Sequence, residues 1–212
     1  MKVKGSVRYS ECLRIERTLL NPNIMGVFAY MPFLECYHGV ISLNHMTNGN
    51  IKIQDKNIEL NGGKGYIEKD FGTSFPEKYI WIQSNDFKCD KVSLMCSIAK
   101  IPFLHTSFSG LIAILYVHGK EYRFATYNFS KIKKICKSQS GVLIVIQNKK
   151  YKLVIKALYK DGDILKAPIK GGMNRLIKEC INGRVKVLLY NKRSRLIYKG
   201  IGDNCGIEIV LD

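Results

Sequence analysis

Short runs in which apolar and polar residues alternate recur along the whole chain. Residues 51–54, 79–83, 143–147, 151–155, 185–189 and 207–211 are rich in β-branched and aromatic side chains, the composition of half-buried strands. Turn signals separate such runs: Asn48-Gly49-Asn50, His118-Gly119-Lys120, Asn148-Lys149-Lys150, Asn182-Gly183 and Asn191-Lys192. Asn-Gly tolerates the positive φ of tight hairpins. Gly62-Gly63 and Gly171-Gly172 read as further turns. Many short strands with such joints predict an all-β, antiparallel barrel or sandwich with little helix. Residues 173–180 alone offer an apolar helical face, through Leu176, Ile177 and Cys180, and they read equally well as a strand. The one joint is Asn21-Pro22-Asn23, which divides a leading segment, residues 1–22, from a domain of residues 23–212.

Composition narrows the class. Hydrophobic residues are 46% and charged residues 24% of the 212, which suits a folded domain with a substantial core. No stretch reaches the roughly 18 apolar residues of a spanning helix, and the start carries no apolar signal region, so a cytoplasmic address is expected. Seven cysteines at scattered spacings, without a Cys-x-x-Cys pair, read as reduced thiols. The net charge of +17 raises the question of an anionic partner. Its lysines are spread along every segment, with a cluster at Lys131, Lys133, Lys134 and Lys137 and a basic group, Lys192, Arg193 and Arg195, at an expected hairpin tip. No RNA-binding aromatic signature or helix-turn-helix accompanies them. A solvated basic surface is favoured over nucleic-acid binding, and peripheral contact with an anionic membrane stays open.

Residues 65–83 carry the most chemistry. Side chains alternate along a strand, so Tyr66, Glu68 and Asp70 share one face. If that face is buried, desolvation and mutual repulsion raise at least one carboxyl pKa and keep a proton available near neutrality, which makes a general acid. The turn at residues 71–76 then reverses the chain, and Tyr79, Trp81 and Gln83 follow on one face, the single tryptophan in the middle. Aromatic faces beside a proton donor suit a cationic intermediate. The plainer alternative, which spacing alone favours, is a solvated strand with surface ion pairs and core aromatics. Upstream, Leu34, Cys36 and His38 share a face, leaving His38 among apolar neighbours, more often a structural histidine than a functional one. His45, His105 and His118 show no metal-ligand spacing, and no metal is expected. No nucleophile motif or phosphate-binding glycine loop is present.

The run Gly65-Tyr-Ile-Glu-Lys-Asp-Phe-Gly-Thr-Ser-Phe-Pro76, followed by Trp81-Ile-Gln83 and preceded by Glu35-Cys-Tyr-His-Gly39, resembles the signature of the tocopherol cyclase family. A weaker likeness continues at Ala125-Thr-Tyr-Asn128. The resemblance implies a lipocalin-like β architecture and a cofactor-free enzyme that protonates a trisubstituted alkene so that a phenol oxygen traps the cation. It is related to the carotenoid hydratases, whose tyrosine, acid and histidine fall on Tyr66, Glu68 and His38. By resemblance Glu68 is the proton donor, with His38 and Asp70 tuning or relaying the proton. Tyr37, Tyr66, Phe71, Trp81 and Gln83 would shape the substrate cavity. The family usually has tryptophan where Phe71 stands and an aromatic at Val27, and its members carry an upstream half. Residues 1–22 would then be a remnant of that half. A composition rich in lysine, asparagine and isoleucine is that of low-GC bacteria. The partner implied is a lipophilic prenyl quinol or other isoprenoid, and the rival reading is a non-catalytic lipid carrier with the same cavity.

Overall fold

The computed structural model describes residues 2–32, 34–89, 91–103 and 106–211; Phe33 and His105 lie outside the described residues. The chain forms β1 (Val3–Leu13), β2 (Cys36–Ile53), β3 (Lys56–Glu59), β4 (Gly63–Gly72), β5 (Tyr79–Ser84), β6 (Asp86–Phe87), β7 (Ser93–Phe103) and β8 (Thr106–Val117). It continues through β9 (Lys120–Ala125), β10 (Lys131–Ser138), β11 (Gly141–Gln147), β12 (Tyr151–Leu158), β13 (Asp163–Ile169), β14 (Gly172–Asn191) and β15 (Leu196–Val210). Helix is confined, among the described residues, to two 3₁₀ turns, Gly26–Tyr30 and Thr126–Asn128. None is long or apolar enough to cross a membrane.

All pairings are antiparallel, in two sheets. In the small sheet β2 lies between β1 on one edge and β4 and β3 on the other. The large sheet has eleven strands in the order β10-β11-β12-β14-β15-β5-β7-β8-β9, with β13 on β14 and β6 on β15. Its end strands, β10 and β9, do not pair among the described residues, so of the two alternatives, barrel and sandwich, the fold is the sandwich-like one. The sheet nonetheless curls around a single core. Ile80 and Ile82 of β5, Leu94 of β7, Leu115 of β8, Phe124 of β9, Ile144 of β11, Ile155 of β12 and Val187 of β14 all pack in one fully buried cluster. Each such side chain contributes about 1.5–3 kcal/mol by leaving water.

The other face of β5, β7 and β8 meets the small sheet. There Met95 and Ile114 pack on Val40, Leu43, Ile15 and Ile24 in a second cluster. The central strands are therefore covered on both faces, and their two residue parities serve two different interiors.

Two sequence expectations change, the joints at Asn-Gly and the reversal at residues 71–76, and the strand reading of residues 173–180 holds. Asn48-Gly49-Asn50 lies inside β2 and Asn182-Gly183 inside β14; neither is a turn. Gly49, at φ +127, sits against the Ser6 carbonyl of β1, and Gly183 falls at a shift in the β14–β15 register. At Gly49 the dipeptide supplies an unusual φ inside a long strand, and at Gly183, which has no positive φ, it supplies the absence of a side chain where the register shifts. Residues 71–76 do not close a hairpin, because β4 and β5 belong to different sheets; they carry the chain across from one to the other. Residues 173–180 are strand. The remaining turns, at Gly62-Gly63, His118-Gly119, Asn148-Lys149, Gly171-Gly172 and Asn191-Lys192, fall where the pattern puts them.

Candidate functional site

A cavity of about 530 Å³ lies between the two sheets, outside the filled core of the curled sheet. Its floor is the outer face of β5, β7 and β8, where Tyr79 and Trp81 alternate with the core residues Ile80 and Ile82. Ser97, Ala99 and Gly110 are small at the positions beside them. Its opposite wall carries His38 of β2 and Glu68 and Asp70 of β4. Met25, Phe28, Met31 and Leu34, from the segment before β2, close one side.

That covering segment is anchored by a glycine. Gly26 has φ +58, and a Cβ there would lie 2.7 Å from the Tyr127 ring, so only glycine combines the left-handed conformation with this approach. Tyr127 also donates a hydrogen bond to the Ile24 carbonyl at 2.9 Å and packs edge-on against Phe28. The segment around residues 25–30 and the stretch of weaker family likeness at residues 125–128 thus meet beside the cavity.

Local pairing builds the polar cluster. His38 faces Asp70 and Val40 faces Glu68 across β2 and β4, which puts one imidazole between two carboxyls. His38 Nδ1 lies 2.6 Å from Asp70 Oδ1, and Nε2 lies 3.4 Å from Glu68 Oε2. The Asp70 contact is close, but its angle falls short of a directed hydrogen bond. Tyr66 donates to Glu68 Oε2 at 2.5 Å and Trp81 Nε1–H donates to the same oxygen at 3.2 Å. Every polar contact of the Glu68 carboxyl among the described residues falls on Oε2. The indole lies over the Cα of Gly206 on β15, where a Cβ would come within 2.7 Å of the ring.

Burial sets the acid-base balance. It pushes the Glu68 pKa up; the His38 charge and the Tyr66 hydrogen bond pull it back, Asp70 raises it further, and the Trp81 hydrogen bond pulls it down, leaving it raised. Burial alone would lower the His38 pKa, but the close Asp70 contact and the charges of Glu68 and Asp70 outweigh it and leave it raised. The Tyr66 hydroxyl is held well above its ordinary value by burial and by Glu68, so it stays a donor. The Cys36 thiol, at the cavity edge, is pushed up to about 12 by burial and the neighbouring carboxylates; it is no nucleophile. One nitrogen of His38 and one oxygen each of Glu68 and Asp70 lie within 4.8 Å of one another, a set that could also hold a divalent ion. The O–H and N–H donors converging on Glu68 suit a proton at the same place.

The sequence-predicted residues divide cleanly. His38, Glu68, Asp70 and Trp81 line the cavity together. Tyr66 supports Glu68 from behind, packed against the second cluster. Gln83 is buried with its Nε2 unpartnered, off the cavity wall. Tyr37 and Phe71 stack on each other at 4.9 Å and lie away from the cavity, Phe71 being 56% exposed. One functional group escaped the sequence reading. Glu208 of β15 pairs with Trp81 of β5, lines the cavity and accepts a hydrogen bond from Tyr79 at 2.5 Å. Its signal was an acid set in an apolar strand, between Ile207 and Ile209.

The chain aligns with plant relatives at low identity. It is 26% identical over 175 residues to "Probable tocopherol cyclase, chloroplastic" of Oryza sativa subsp. japonica, covering 80% of this chain and 37% of that protein. It is 26% identical over 178 residues to "Tocopherol cyclase, chloroplastic" of Zea mays, covering 79% of this chain and 36% of that one. The chain thus spans little more than a third of the length of these relatives. No solved structure matches it. The family pattern described as "Tocopherol cyclase-like" matches residues 16–211, which take in every strand of both sheets except β1, and the chain belongs to the tocopherol cyclase-like family.

Proposed function

We propose that the chain catalyses acid-initiated cyclisation of a lipophilic, prenylated substrate, with Glu68 as proton donor. The observation that carries this reading is a partly buried carboxyl whose donors all engage one oxygen, Oε2, at the wall of an apolar cavity. Oε1 is then the atom that holds and gives the proton. As it protonates the alkene, a C–H bond forms from the π electrons and a tertiary cation remains. A hydroxyl oxygen of the same molecule closes the ring by forming a C–O bond and loses its proton, so product and substrate are isomers. Once Glu68 is ionised, Tyr66, Trp81 and His38 stabilise the carboxylate without moving.

The lining supports the cation too. The chain has twice as many basic as acidic residues, 34 against 17, yet Glu35, Glu68, Asp70 and Glu208 line the cavity and no lysine or arginine does, among the described residues. The Trp81 and Tyr79 rings add their electron-rich faces.

Glu68→Gln keeps the shape and the hydrogen bonds but removes the proton. It should lower turnover of a prenylated hydroquinone by 10²-fold or more, while affinity, read by quenching of Trp81 fluorescence, changes less than about threefold. Turnover retained in Glu68→Gln rejects the assignment. Ligand recovered unchanged from the wild-type protein after long incubation supports the carrier reading instead.

A further inference from the structure

The cavity holds a second carboxyl with the same kind of support as the first. Glu208 Oε2 accepts the Tyr79 hydroxyl at 2.5 Å as Glu68 Oε2 accepts that of Tyr66, and Trp81 stands between them, paired with Glu208 in the sheet and bonded to Glu68. Its placement opposes stability. Glu208 faces Glu179 directly across β14 and β15, a like-charge pair of the kind that destabilises a sheet, and neither makes an ion pair among the described residues. We propose that Glu208 is the cavity's second proton-handling group, which binds the hydroxyl of the lipophilic substrate and takes its proton as the ring closes.

The role deepens the cyclase reading and rests on it for the chemistry, though not for the binding. Ring closure needs two opposite proton transfers: one to the alkene carbon, the other from the hydroxyl. With one carboxyl for each, Glu68 loses a proton to carbon and Glu208 gains one from oxygen. When the product leaves, Glu208 releases its proton and Glu68 is reprotonated, so nothing is consumed. Burial raises the Glu208 pKa; the Tyr79 hydrogen bond opposes this and the charges of Glu179, Glu68 and Asp70 add to it, for a value of about 7. The groups around it are Tyr79 on β5, Glu179 on β14, Glu68 and Asp70 on β4 with His38 beside them, and Arg175, whose charge bears on Tyr79. A base poised near the working pH has the correct protonation state without excess basicity.

The test separates binding from turnover by using a geranylated hydroquinone whose chain has been hydrogenated, so that no alkene can be protonated, and the methyl ether of its ortho hydroxyl. Affinities come from Trp81 fluorescence between pH 5.5 and 8.5. The wild-type protein should prefer the free hydroxyl about tenfold at pH 8, as expected for a hydrogen bond to a charged group, and the preference should fade as pH drops through about 7. Glu208→Leu should bring the two ligands within twofold, and Glu208→Gln, close to the native shape, should leave a smaller preference that no longer varies with pH. Tyr79→Phe, which keeps the carboxyl and removes its donor, should move the transition to higher pH. Glu68→Gln should keep the preference. A pH-dependent preference that survives in Glu208→Gln, or a wild-type protein that does not distinguish the two ligands, overturns the proposal. If the preference behaves as described and turnover is absent, the cyclase reading fails and the hydroxyl site stands.

Discussion

A carboxyl kept in the cavity against its own burial should cost the fold stability, and the cost should depend on pH. In the unfolded chain the Glu208 carboxyl titrates at its ordinary value of 4.5; in the fold burial, together with the charges of Glu179, Glu68 and Asp70, raises it to about 7 despite the Tyr79 hydrogen bond. Between those values the native state binds more protons than the unfolded state, so its stability falls as pH rises through the window and is level above it. At 1.36 kcal/mol per pKa unit the loss is roughly 3 kcal/mol, an upper figure because the neighbouring carboxyls share it. Glu208→Gln removes the titration and keeps an acceptor for Tyr79. The variant should match the wild-type protein at pH 4.5 and exceed it by about 1–3 kcal/mol at pH 8, as read from urea unfolding followed by Trp81 fluorescence. A variant whose advantage is the same at both pH values, or absent at pH 8, would show that Glu208 is not held in the environment described.

Two further substitutions probe the supports of the site. Tyr66→Phe removes a donor that favours ionised Glu68; a hydrogen bond to a charged group is worth about 1.5–3 kcal/mol, so the alkaline limb of the turnover profile should move up by about one pH unit or more while the plateau rate falls several-fold, and an unmoved limb refutes the coupling. Gly26→Ala places a methyl group 2.7 Å from the Tyr127 ring at φ +58; strain and overpacking should cost about 2 kcal/mol or more and weaken ligand binding as the covering segment shifts, and wild-type stability in chemical denaturation would contradict it.

Period-two alternation explains how much of this was legible in the sequence. It set Tyr66, Glu68 and Asp70 on one face and Trp81 on the face toward them, and the fold brings these together with His38. Alternation gives a face, however, and not a position along it. Gln83 shares the parity of Trp81, but there the small sheet has already packed down on Met95, its partner in β7, and no space remains. Phe71 has the parity opposite to Glu68, and its likeness to a family position could not bring it inside. Glu208 depends on the pairing of β15 with β5, more than a hundred residues apart, which no local pattern specifies. The reading of Asn-Gly as hairpins at Asn48-Gly49 and Asn182-Gly183 failed for a related reason: the dipeptide permits a turn without dictating one, and long strands use it too, at Gly49 for a positive φ and at Gly183 where the register shifts.

The same alternation lets one set of strands serve both folding and chemistry. On β5, β7 and β8 one parity supplies Ile80, Ile82, Cys96, Ile98 and Ala113 to the filled core. The other parity supplies Trp81, Ser97, Ala99 and Gly110 to the cavity, and farther along it supplies Met95 and Ile114 to the contact with the small sheet. The cavity thus exists where this second parity turns small, and enlarging Ser97, Ala99 or Gly110 would close it without touching the first core. Charge is divided too, for the cavity wall carries carboxyls but, among the described residues, no lysine or arginine. Burial is the largest influence on the Glu68 and Glu208 carboxyls and raises both, the condition that the proposed donor and the proposed acceptor of a proton each require.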